Sequence, residues 1–127
     1  MKIGIVGSRT RNTPEDYQKV NDVFEKWFFG FKKKYGYEYG DIRIVSGGQK
    51  LGADGWAEGI AAGYQLPMYT FYAPWIILGE KAGPIRNRFI VEESDILIAC
   101  LGKESKGTAD CIRQFKKYKP KGQIILV

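Results

Sequence analysis

The sequence contains no histidine, only two cysteines, and no apolar run longer than a strand. Without histidine, and without a cysteine pair at ligand spacing, a transition-metal site is not expected, so metal ligands are set at none. Cys100 ends an apolar run and Cys111 falls in a helical stretch, so both read as buried thiols in a reducing compartment rather than as a disulfide framework. No run approaches the roughly 20 residues needed to cross a bilayer, and Lys2 leads directly into the strand-like Ile3-Gly4-Ile5-Val6. The expectation is a cytoplasmic protein with no signal peptide and no membrane partner. Two common phosphate-binding signatures are also missing. No GxGxxG spacing occurs, and no glycine-lysine pair is followed by serine or threonine, which argues against standard dinucleotide binding and ATP hydrolysis. No cofactor is expected.

What is present fits one domain over residues 1–127, with 44% apolar residues to form its core. The net charge of +6 invites a nucleic-acid reading. Its distribution weakens that reading. Lys32, Lys33 and Lys34 close the first helical segment and Lys116, Lys117, Lys119 and Lys121 close the last, where cations offset the negative end of a helix dipole.

Short β-branched runs alternate with longer segments of helical period, the pattern of a mainly parallel five-stranded sheet between two helical layers, an α/β three-layer sandwich. The strands are expected at Ile3 to Val6, Ile42 to Val45, Met68 to Tyr72, Ile96 to Cys100 and Gln123 to Val127. The first helix has a capping Thr13, Pro14 at the first helical position, and Glu15 and Asp16 at the positive end of the dipole. Val20, Phe24, Trp27, Phe28 and Phe31 repeat at three and four and are expected to pack on the sheet. Further helices are expected over Ala53 to Ala62, Pro84 to Ser94 and Gly107 to Tyr118.

In such a sheet, ligands bind beyond the carboxyl ends of the strands, where helix N-termini present unpaired N–H groups. Four loops fall there. Gly7-Ser8-Arg9 combines a turn, a hydroxyl and a guanidinium suited to phosphate or carboxylate. The loop Ser46-Gly47-Gly48-Gln49-Lys50-Leu51-Gly52-Ala53-Asp54 lets backbone amides approach a ligand. A fixed carboxylate at Asp54 would repel phosphate, so it is assigned a ligand hydroxyl or amine. The Ala73 to Gly83 loop carries Trp75, which can stack on a base, and Lys81, ahead of a helix displaying Arg86 and Asn87. Arg88, two residues on, should face elsewhere. Glu104-Ser105-Lys106-Gly107-Thr108-Ala109-Asp110 brings a lysine, a glycine and a hydroxyl to a helix N-terminus, the strongest anion site of the four.

Taken in order, these segments resemble the SLOG superfamily, the Rossmann-like group that includes the LOG enzymes and the DprA DNA-processing proteins. The nearest pattern is its YspA-related branch, carried by Gly7-Ser8-Arg9, the Ser46 to Asp54 loop with two extra residues, Trp75, Gly83-Pro84-Ile85-Arg86-Asn87 and Gly107-Thr108-Ala109-Asp110. The resemblance implies a Rossmann-like domain that binds a nucleotide or nucleotide derivative, with related proteins often pairing as homo-oligomers. LOG enzymes hydrolyse nucleoside monophosphates with an arginine, matched by Arg86, and a glutamate whose position falls on Cys111, with Asp110 one residue early.

Three readings follow. The first is a nucleotide-like ligand bound by a sensor or binding module through Gly7, Ser8, Arg9, Ser46, Gly47, Gly48, Asp54, Trp75, Arg86, Asn87, Lys106, Gly107 and Thr108. The second is an N-glycosidase on a nucleoside 5'-monophosphate, with Arg86, Asp54 and Asp110 as its catalytic residues. The third, ranked last, is single-stranded DNA binding of DprA type, supported by eighteen aromatic residues. Nucleic acid is accordingly not expected as a partner.

Overall fold

A computed structural model describes residues 1–36, 42–49, 51–103 and 105–127. Period-two burial organises the sheet. In β1 (Lys2–Gly7), Ile3 and Ile5 face one helical layer while Val6 faces the other. β2 (Arg43–Ser46) and β4 (Ile96–Cys100) alternate likewise, sending Ile44, Ile98 and Cys100 to the first layer and Val45, Leu97 and Ala99 to the second. With β3 (Met68–Thr70) and β5 (Gln123–Leu126) the order is β3-β2-β1-β4-β5, and every pairing is parallel.

Helices α1 (Pro14–Tyr35) and α2 (Ala53–Gly63) cover the first face, and α4 (Ala82–Glu92) and α5 (Lys106–Tyr118) the second. The start of α1 is the expected one: the Thr13 hydroxyl accepts the Asp16 N–H at 3.1 Å, and Asp16 accepts the Thr13 N–H in return. Asp16 also binds Arg11 at 2.7 Å, which holds its carboxyl below the usual range. Arg11 in turn donates to the carbonyls of Leu101 at 3.2 Å and Val127 at 2.5 Å, tying the loop after β1 to those following β4 and β5.

Three expectations change. Phe24 and Phe28 are fully buried and stacked with centroids 5.5 Å apart, but Trp27 and Phe31 are only half-buried and pair with each other at 5.3 Å. The aromatic stripe is wider than the face the sheet can cover. β3 stops at Thr70 because its partner β2 ends at Ser46; the Phe71 N–H to the Ser46 carbonyl, at 2.9 Å, is the last rung. The segment read as a loop from Ala73 to Gly83 contains a short helix α3 (Trp75–Leu78) and a 3-10 turn (Gly79–Lys81) that runs into α4 two residues before Pro84. Lys50 and Glu104 lie outside the described residues. Among the described residues no helix is long and apolar enough to cross a membrane.

Because Phe24 sits at 0% exposure against Ile residues of the sheet and Phe28, Phe24→Ala should lower the unfolding free energy by about 3–5 kcal/mol, measured by urea denaturation. A loss near 1 kcal/mol would mean that α1 does not pack as described.

Candidate functional site

The strand order reverses between β1 and β4, and at that carboxyl edge lies a cleft of about 870 Å³. Its walls come from all four loops singled out in the sequence. Gly7, Ser8 and Arg9 enter from β1, Gly47, Gly48 and Asp54 from the β2 loop and α2, Trp75 from α3, Arg86 and Asn87 from α4, and Lys106, Gly107, Thr108 and Asp110 from α5. Ser46 does not border the cleft. It is the last residue of β2, fully buried, with its hydroxyl turned back to the Asp54 carbonyl at 3.5 Å. Lys81 is exposed outside the wall, whereas its neighbour Glu80 belongs to it.

Asp54 is the most unusual group in this wall. It stands in the first turn of α2, 6% exposed, with Oδ2 accepting the Gln49 N–H at 3.3 Å. Its other oxygen, Oδ1, is buried with no hydrogen-bond partner. Burial pushes the carboxyl up from 3.8 to about 6, against the opposing pull of Arg86 and the N–H groups of Gln49 and Gly7. A buried, unpaired carboxylate oxygen destabilises a fold unless something satisfies it, and at a cleft wall a ligand donor can do so.

Arg86 and Asn87 brace the cleft from α4. The Arg86 guanidinium donates to the Gly47 carbonyl at 2.7 Å and the Phe71 carbonyl at 3.4 Å, joining the ends of β2 and β3. Its Nε donates to Asn87 Oδ1 at 3.1 Å, and Asn87 Nδ2 reaches both the Gly107 carbonyl and Asp110 Oδ2 at 3.0 Å. Asn87 therefore has both ends of its amide committed to protein partners. Asp110 is equally engaged, by Gln114 at 2.9 Å and Arg113 at 3.6 Å. The two carboxylates named as catalytic candidates thus differ: Asp54 Oδ1 is buried without a partner, whereas both hydrogen bonds to Asp110 fall on Oδ2 and its Oδ1 has only the looser Arg113 ion pair. Cys111, which stands at the position of the LOG glutamate, is buried with its thiol pushed up to about 12, so it stays protonated and offers no carboxylate substitute. Arg88 points away, paired with Glu92 at 2.7 Å and lying over the Tyr118 ring.

At the opposite wall α5 begins without a side-chain cap. Ser105 turns its hydroxyl to Gly102, donating to the carbonyl at 2.7 Å and accepting the N–H at 2.8 Å. The first intrahelical bond runs from the Ala109 N–H to the Ser105 carbonyl at 2.9 Å, so the amides of Lys106, Gly107 and Thr108 precede the helical ladder. These amides and the exposed Lys106 stand together at the cleft wall. Ser8 is mostly committed to its own turn, its Oγ 2.7 Å from Thr10 Oγ1, while Arg9 is exposed at the mouth. Four cations border the cleft (Arg9, Arg86, Lys106 and Arg113) against the carboxylates Asp54, Glu80 and Asp110.

Sequence reasoning missed Tyr72, Glu80 and Arg113, all of which line the cleft. The run Phe71-Tyr72-Ala73-Pro74-Trp75 offered a signal for Tyr72, because Pro74 cannot continue a paired strand and so the chain must leave the sheet near Tyr72.

No family model matches the chain, and no curated protein matches it. Among solved structures it is similar to DNA processing protein A from Helicobacter pylori, a structure described for its single-stranded DNA binding mode. The TM-score is 0.67 at 20% identity, covering 99% of this chain and 64% of that one. The likeness establishes the Rossmann-like α/β fold, and the chain spans just under two thirds of the neighbour's length. It also corrects one expectation. Nucleic acid was set aside because the lysine clusters lie at helix ends away from the cleft, yet a protein of this architecture binds single-stranded DNA. The distribution of surface lysines is a poor guide where the sheet edge carries its own cations and exposed rings.

The Asp54 carboxyl gives a testable pH dependence. Its folded-state pKa lies above the unfolded value, so its contribution is most favourable below pH 3.8 and is lost as the pH rises to about 6. Asp16, held low by Arg11, works in the opposite direction. The difference between Asp54→Asn and the parent protein isolates the first effect. The variant should gain relative stability from pH 4 to pH 7, reaching about 3 kcal/mol in urea denaturation, and a pH-independent difference would refute the assignment.

Proposed function

We propose that the cleft binds a nucleoside phosphate or a derivative of one, as a binding module or sensor. The observation that carries this reading is Asp54, a buried carboxylate bordering the cleft whose Oδ1 has no hydrogen-bond partner; a sugar hydroxyl or an amine of the ligand would supply the missing donor. Its surroundings fit the same ligand. The uncapped start of α5 suits phosphate and lies after β4, Asp54 follows β2, and the exposed rings of Tyr72 and Trp75 follow β3. At about 4.8 Å per strand, β3 and β4 are about 14 Å apart. Anion site, hydroxyl acceptor and aromatic surface therefore run along the edge in the order of phosphate, sugar and base. The sequence resemblance to the YspA-related branch of SLOG proteins agrees with this reading.

The structural likeness to DNA processing protein A favours a second reading, in which the cleft takes nucleotides of a single DNA strand. Phosphates would then meet Arg9, Lys106 and Arg113, and bases would meet the same rings. A hydrolytic form of the first reading would use Asp54 as the carboxylate, because its Oδ1 has no partner, whereas Asp110 already accepts from Asn87 and Gln114.

Thermal-shift and calorimetric titration with nucleoside mono- and diphosphates, ribose 5-phosphate and a short oligodeoxynucleotide separates these readings. A nucleoside phosphate at 100 times its Kd should stabilise the fold by about 2.7 kcal/mol, and Lys106→Ala should weaken it about two- to fivefold through loss of one cation at the helix start. An oligonucleotide that binds with a steep salt dependence and displaces the mononucleotide would establish the strand-binding reading. No stabilisation by any of these compounds would overturn both.

A further inference from the structure

Two large aromatic rings stand in water at the β3 end of the cleft: Tyr72 is 69% exposed and Trp75 is 58% exposed. Both border the cleft. Exposed rings elsewhere in a small domain need no explanation, but these two share a construction. Each rests on a glycine from a neighbouring element. At Gly48, with φ of +74°, an added Cβ would lie 2.4 Å from Tyr72 Cε1 and 2.7 Å from Cδ1. At Gly83, in the first turn of α4, an added Cβ would lie 3.1 Å from Trp75 Cη2, with Cζ3 and Cζ2 within 4 Å. The missing Cβ atoms let the edges of the rings lie directly on backbone.

The backbone also explains why Tyr72 is there. β3 ends with β2, so the chain leaves the sheet just before Tyr72 and brings its ring over the β2 loop at Gly48. Along α3, Ile76 and Ile77 are 102% and 82% exposed and lie outside the cleft wall, whereas Trp75 turns inward to Gly83. The rings are thus held in place while much of their surface stays open, the condition under which a planar group can stack without reorganising its partners.

We infer that Tyr72 and Trp75, seated on Gly48 and Gly83, form a platform that takes the planar heteroaromatic base of the bound ligand and sets its affinity over the same ligand lacking a base. The inference rests on the nucleoside-phosphate reading of the cleft. In the strand order the rings follow β3, Asp54 follows β2 and the α5 start follows β4, so a ligand spanning all three would carry its base and its phosphate at opposite ends.

Calorimetry with the four common nucleoside 5'-monophosphates and with ribose 5-phosphate tests it on the parent protein and on Tyr72→Leu, Trp75→Leu and Gly83→Ala. The leucine variants remove exposed rings, and alanine is favourable within α4, so all three should fold. Gly83→Ala displaces the indole without deleting it. The tightest nucleotide should bind more tightly than ribose 5-phosphate to the parent protein. Each leucine variant should weaken that nucleotide by about tenfold and Gly83→Ala should weaken it in the same direction, while ribose 5-phosphate changes less than about twofold. If ribose 5-phosphate binds as tightly as every nucleotide, or both ligands weaken alike in the variants, the platform is overturned and the cleft reading stands. If neither class binds the parent protein, both fall.

Discussion

The cleft depends on two adjacent residues of α4. Arg86 gathers the carbonyls at the ends of β2 and β3, Asn87 grips the start of α5, and the two side chains hydrogen-bond to each other. Parallel strands leave their carboxyl-end carbonyls pointing toward solvent, and here a guanidinium collects them into one rigid edge. That brace fixes the loop that positions Asp54, the chain exit that positions Tyr72, and the helix start that offers its amides to an anion. Arg86 therefore does more to build the site than an arginine that merely meets a phosphate.

Electrostatics sharpen this picture. Four cations and three carboxylates share the cleft wall, so no broad positive potential attracts an anion. The wall instead carries separate local features: uncapped amides at α5, the partnerless Oδ1 of Asp54, and rings at the β3 end. Such a division suits a ligand whose parts differ chemically along its length. It also suits a repeating strand if each nucleotide presents the same parts in turn.

Much of the architecture was legible in the sequence because β-branched runs and helical periods are local signals. Ile3 to Val6 and Ile96 to Cys100 could only be buried strands, and Thr13-Pro14 marked the start of α1. The short helix at Trp75 was hidden by Pro74 and Gly79, which look like loop punctuation and here bound a four-residue turn of helix. Trp27 and Phe31 followed the repeat of Phe24 and Phe28 but fell beyond the width of the sheet's contact. At the site, the loops could be read and the division of labour within them could not. Nothing local distinguishes Asp54, whose Oδ1 is buried without a partner, from Asp110, whose Oδ2 accepts two amide donors; those donors come from Asn87 and Gln114, 23 residues before and four after Asp110.

The unsatisfied oxygen of Asp54 has a consequence for the protein's persistence. Any molecule that donates a hydrogen bond to it in the native cleft, and not in the unfolded chain, shifts the population away from open forms. Where cleavage by proteases follows the open population, turnover slows in proportion. For such a donor, occupancy and lifetime would be coupled through one carboxylate, and the amount of this protein in a proteolytic environment would record how often its cleft was filled.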